Sequence, residues 1–97
     1  MPKTISEIQS ALTPIFEDYG ITRAVLFGSC ANGKATDKSD LDLLVQSSLR
    51  GLRFVGFMDA VAETINMPVD IFDVSHIESG SKIDREIRST GVTIYEK

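Results

Sequence analysis

Cysteine is nearly missing from this chain: Cys30 stands alone and cannot close an internal disulfide. No apolar run approaches the ~20 residues of a membrane span. The opening stretch, MPKTISEIQS, has neither the basic nor the apolar region of a secretory leader. Together these shortages point to a reducing cytoplasm and away from a membrane. Positive charge is also short, with 10 Lys and Arg against 14 Asp and Glu, for a net charge of −4. A domain that grips nucleic acid by charge would normally show a basic face, so direct nucleic-acid binding is not expected. Nucleotides are not excluded, because their phosphates can be met through metal ions. There is no internal repeat, low-complexity stretch or linker.

What is present suits one globular domain spanning residues 1–97, with 42% hydrophobic and 25% charged residues. A chain of this length buries roughly 60–68% of its unfolded surface, enough for one modest core. Thr4-Ile5-Ser6-Glu7 reads as a capping box, and Ile5, Ile8, Ala11, Leu12, Ile15, Phe16 and Tyr19 follow helical spacing behind it. Pro14 either kinks this helix or starts a second one capped by Thr13. Gly20 is placed to end it. Ile21 to Phe27 and Leu41 to Val45 read as strands. A second helix is expected over Leu49 to Asn66, with Leu52, Val55, Met58, Val61, Ala62 and Ile65 as its core stripe and Phe54 and Phe57 widening it. Val69 to Val74 is a third strand. A third helix, interrupted by Gly80, runs from Ser75 to about Ser89, and Val92 to Tyr95 is the last strand. The order is α-β-β-α-β-α-β, an α+β fold with helices on one face of a mixed sheet and the other face partly open.

The most informative stretch joins the first two strands: VLFGSCANGKATDKSDLDLLV, Val25 to Val45. Gly28 lets the backbone come close to a ligand, and N–H groups after it, with the Ser29 hydroxyl, would form an anion cradle. Asp40 and Asp42 lie two apart at the opening of a strand, so their side chains point the same way. Two like charges on one face are costly unless something cationic joins them. Hard oxygen ligands beside a phosphate cradle suit magnesium. In the third strand Asp70 and Asp73 differ by an odd number, so only one of them can join the pair. His76 reads as a helix-start or surface residue, and Arg50 and Arg53 as solvated or anion-facing.

Gly28-Ser29, ten residues and then Asp40-Leu41-Asp42 resembles the signature of the nucleotidyltransferase superfamily with the DNA polymerase β fold. More narrowly, GSCANGKATDKSDLDLLV is similar to the minimal nucleotidyltransferases, the MNT antitoxin family of single-domain proteins. The resemblance implies three carboxylates holding two magnesium ions. It maps the first two onto Asp40 and Asp42 and the third onto Asp70, which would also help deprotonate the attacking hydroxyl; Asp73 is the rival for that third place. It implies that Gly28 and Ser29 hold the triphosphate of ATP or another NTP. One departure stands out: the family commonly has Arg or Lys before the second glycine of the loop, where this chain has Asn32, and losing that cation would weaken nucleotide affinity. Cys30 fills a position the family varies.

The expected activity is magnesium-dependent transfer of a nucleoside monophosphate, AMP from ATP, to a hydroxyl. The chain has no room for a separate acceptor domain, so a partner or a second copy of itself is expected to complete the site. The resemblance implies a HEPN toxin as partner, with a tyrosine as acceptor and the chain as antitoxin. Two alternatives stay open: a binding module that neutralises its partner by occlusion, and a transferase acting on a small hydroxylated molecule such as an aminoglycoside.

Overall fold

Helix α1 (Ile5–Asp18) starts where its capping chemistry starts it. Thr4 Oγ1 accepts from the Glu7 N–H at 3.1 Å, and Glu7 Oε1 accepts from the Thr4 N–H at 3.0 Å. In the computed structural model, which describes residues 4–28, 31 and 40–97, the helix continues past Pro14 as one element. The Ser10 carbonyl loses its helical partner there, but Ser10 and Pro14 are exposed and water can replace it. Thr13 caps no second helix; its hydroxyl donates to the Gln9 carbonyl at 2.7 Å. Gly20, at φ +70°, closes α1 in a Schellman turn. There the Ile21 N–H donates to the Phe16 carbonyl and the Gly20 N–H to that of Glu17.

Four strands follow, β1 (Arg23–Phe27), β2 (Leu41–Gln46), β3 (Val69–Asp73) and β4 (Val92–Glu96), in the spatial order β3-β2-β1-β4. Strand β1 is antiparallel to both β2 and β4, whereas β2 and β3 are parallel and joined by helix α2 (Leu52–Ile65). The sheet is therefore mixed, and the element order is the one expected.

The expectation that all helices share one face needs correction. Ala24, Leu26, Leu41, Leu43, Val45 and Ile94 form one core with α1 and α2. Val25, Phe27 and Leu44 point the other way, and Phe72, Ile77, Ile83 and Ile87 pack on them. Helix α3 (Lys82–Thr90) thus covers the second face. The unbroken apolar run Ala24-Val25-Leu26-Phe27, buried at every position, is what a strand covered on both sides requires.

The stripe of α2 is rotated from the one expected. Phe57, Val61 and Ile65 are buried, whereas Leu52 is 88% and Val55 50% exposed. At 100° per residue Leu52 lies about 140° and Val55 about 160° round the helix from Phe57, so a stripe centred on Phe57 turns both outward. Phe57 anchors the core through ring contacts with Phe16, Tyr19 and Phe54. The third helix also starts later than Ser75. A 3₁₀ turn over Val74–His76 follows β3, and Ser81 caps α3 by accepting from the Asp84 N–H.

Candidate active site

Asp42 is the second residue of β2 and Asp70 the second of β3, and parallel pairing puts them side by side in register. Both lie on the sheet face that carries Leu44 and Phe72, the face covered by α3. Asp40 sits just before β2, exposed, on the same alternation. Across the antiparallel pair Asp42 opposes Phe27, and the next residue is Gly28.

Gly28 closes over Asp42. Its φ is +76°, and a Cβ built on it would lie 2.5 Å from Asp42 Oδ2. Glycine is therefore needed there twice, for the left-handed backbone and for the space the carboxylate occupies. Both ends of Gly28 are tied: its N–H donates to Thr90 Oγ1 at 2.9 Å, and its carbonyl accepts from the Ala31 N–H at 3.1 Å. Ser29, Cys30, Asn32, Lys34 and Ser39 lie outside the described residues.

The electrostatics follow from this crowding. Burial, then the nearby charges of Asp70, Glu86 and Asp40, push the Asp42 carboxyl up from its ordinary 3.8 to about 6. Among the described residues no salt bridge reaches Asp42 or Asp70. Nor do three carboxylate, imidazole or thiolate groups close into a preformed metal cage among them. Magnesium does not need one, because it commonly sits on one or two carboxylates and completes its octahedron with water and substrate phosphates. An all-oxygen acidic set with its central carboxylate held under repulsion fits a metal ion that arrives with a polyphosphate.

Asp73 does not lie beside Asp42: Asp70 holds the paired position, and Asp73 sits farther along β3 opposite Val45. It is buried, and its carboxylate accepts from the Ser75 N–H and hydroxyl at 2.9 and 2.7 Å and from the Ser47 hydroxyl at 3.4 Å. Burial alone would raise its pKa, but the Ser75 and Ser47 hydrogen bonds and the His76 charge outweigh it and hold the carboxyl below its ordinary value. Asp73 pairs with Val45, three residues along β2 from Asp42 and so about 10 Å away. It lines an open cavity of about 550 Å³ with Arg50, Phe54 and His76, at the far end of the strands from the paired aspartates. His76 is an exposed residue of the 3₁₀ turn, in line with the surface role read for it.

Two residues near the site had no signal in the sequence, Glu86 and Thr90, one helical turn apart on α3. Only the packing of α3 over the aspartate face brings them there.

With this geometry in view, residues 10–97 match the family model described as polymerase beta, nucleotidyltransferase. The chain is 32% identical over 85 residues to the protein adenylyltransferase MntA of Thermococcus cleftensis, an alignment covering 79% of this chain and 84% of that protein. A toxin–antitoxin crystal structure with AMP-PNP superposes with a TM-score of 0.77 at 17% identity, over 92% of this chain and 73% of that one. A complex of tri-AMPylated Shewanella oneidensis HEPN toxin with MNT antitoxin superposes with a TM-score of 0.72 at 14% identity, over 97% and 74% of the two chains. Sheet order, the paired aspartates and the sequence match converge: the chain belongs to the polymerase β nucleotidyltransferase family.

Proposed function

We propose that this chain transfers AMP from ATP to a tyrosine hydroxyl of a HEPN-type toxin and so acts as its antitoxin. The observation that carries the reading is the in-register Asp42–Asp70 pair beneath a glycine whose backbone closes on Asp42. It draws support from the relative named as a protein adenylyltransferase and from the AMPylated HEPN toxin in a complex of the same fold.

Asp40, Asp42 and Asp70 would hold the magnesium ions, which when bound supply charge neutralisation at the reacting phosphate. The protein's own part is positioning and proton handling. Gly28 offers a surface without a side chain, where a polyphosphate can come close to Asp42. Asp70 is exposed, on the open edge of the pair, and its carboxylate takes the proton of the acceptor hydroxyl. The acceptor oxygen then bonds to the α-phosphorus, the bond from that phosphorus to the bridging oxygen breaks, and pyrophosphate leaves. The exposed carboxylates face outward, so a partner protein can present its hydroxyl directly. The cytoplasm, where ATP and magnesium are plentiful, is the matching compartment.

Intact-mass spectrometry on the chain with its HEPN-type partner, before and after ATP and magnesium, tests the reading. AMP-sized increments on the partner, absent with Asp42→Asn, are expected. A second reading, neutralisation by occlusion, is favoured by the exposed Leu52 and Val55, an apolar pair at the start of α2 suited to a protein contact. A stable complex with an unmodified partner and no mass change would replace the first reading with the second.

A further inference from the structure

We propose that Thr90 is a positioning residue for nucleotide binding: its hydroxyl anchors the Gly28 backbone in the place that lets a polyphosphate sit over Asp42. The inference rests on the nucleotidyl-transfer reading above and adds to it a residue on a helix that carries none of the signature.

The sheet leaves a backbone donor over at Gly28. Pairing of β1 with β4 ends at Leu26 opposite Val92, so Gly28 lies beyond the last rung on that side. A part-buried N–H without a partner is costly, and here a side chain supplies one. Thr90 Oγ1 sits 2.9 Å from the Gly28 nitrogen. The same hydroxyl lies 2.8 Å from the Glu86 carbonyl oxygen. A hydroxyl has one proton and two lone pairs. Because the carbonyl can only accept, the Thr90 proton goes to Glu86 and a lone pair is left facing the Gly28 N–H. The helix turn therefore orients the hydroxyl, and the hydroxyl holds the glycine.

The seat of Thr90 is itself built closely. Gly91 ends α3, and a Cβ there would collide with the Ile87 carbonyl and come within 3.0 Å of Val25 Cγ1. The missing side chain lets the end of α3 settle directly on β1, the strand that leads into Gly28. One strand and one helix end thus fix the glycine from both sides, while Ala31 holds its carbonyl. Gly28 in turn contacts Asp42, so the hydroxyl acts on the site through Gly28.

Thr90→Val keeps the shape and removes the lone pair, whereas Thr90→Ser keeps the hydroxyl. Two readouts separate a positioning role from a merely structural one: exchange of the Gly28 amide by NMR, and affinity for a fluorescent ATP analogue with magnesium. Both are taken on the full chain at a temperature where every variant is folded. We expect Thr90→Ser to bind within about twofold of the parent. Thr90→Val should bind about tenfold more weakly, with faster Gly28 exchange, as expected for losing one backbone anchor. Should the valine chain not fold, Thr90→Cys, whose sulfur is a poor acceptor, takes its place. If Thr90→Val loses thermal stability but binds the analogue as the parent does, the assignment is overturned and Thr90 is only structural. Weakening of Thr90→Ser to the level of Thr90→Val overturns it too. Absence of magnesium-dependent binding by the parent chain would instead sink the nucleotidyl-transfer reading, and this inference with it.

Discussion

Replacing Asp42 with asparagine should stabilise the metal-free protein at neutral pH. In the folded chain burial and the charges of Asp70, Glu86 and Asp40 raise its pKa to about 6, against 3.8 for the free side chain. The folded state thus holds this proton more tightly than the unfolded state. Below about pH 4 the carboxyl is protonated in both states and carries no penalty. Between about pH 4 and 6 the unfolded chain releases the proton first, so the folded state loses ground; above about 6 the penalty is complete. Taken at face value the shift is worth about 3 kcal/mol. Asp42 keeps partial contact with solvent, and screening reduces this to about 1–1.5 kcal/mol. For a chain of this size that is roughly 5–7 °C in melting temperature. Thermal unfolding of the parent and Asp42→Asn in EDTA, at pH 4.5 and pH 8, measures it. The asparagine variant should melt higher at pH 8 and converge with the parent toward pH 4. Magnesium should raise the parent at pH 8 and leave the variant unmoved. A variant less stable than the parent at pH 8 in EDTA would refute the picture of a repelled carboxylate.

Other outcomes follow from individual contacts. Gly28→Ala puts a methyl group 2.5 Å from Asp42 Oδ2 at a left-handed φ. It should cost about 1–3 kcal/mol of stability and weaken magnesium–nucleotide binding at least tenfold, read by denaturant melts and calorimetry. Asp70→Asn and Asp73→Asn should separate two roles. The first should lose transfer with little change in melting. The second, which disturbs the Ser47 and Ser75 hydrogen bonds, should lose about 1–3 kcal/mol of stability yet bind nucleotide normally. Leu52→Glu should leave the fold and magnesium–nucleotide binding intact, because the side chain is 88% exposed, while weakening association with the protein partner in a co-purification or calorimetric assay. Phe57→Ala, which empties a fully buried position, should cost about 3–5 kcal/mol in a denaturant melt, a large part of the stability of a domain this size.

Where a feature depends on local chain geometry, the sequence carried it. The capping box at Thr4, the turn at Gly20 and the shared face of Asp40 and Asp42 all come from spacing alone. Parity along β3 allowed only one of Asp70 and Asp73 to share the face of the pair, and the parallel register sets Asp70 beside Asp42. Where a feature depends on which surfaces meet, the sequence was silent or misleading. Leu52 and Val55 fit a helical stripe as well as Phe57 does, and only packing against Phe16 and Tyr19 decides the phase. Glu86 and Thr90 look like ordinary polar positions on an amphipathic helix. Their relation to Asp42 and Gly28 exists only because α3 crosses to the second face of the sheet, a face expected to be partly open with all helices on the other.

We propose that Asp42 and Asp70 form one magnesium–nucleotide site. Its most direct test is calorimetric titration of a non-hydrolysable ATP analogue into the chain, with and without magnesium, for the parent, Asp42→Asn and Asp70→Asn. Saturable binding that requires magnesium is expected in the parent, weakened at least tenfold in each variant. Equal binding by all three chains, or binding indifferent to magnesium, would contradict it.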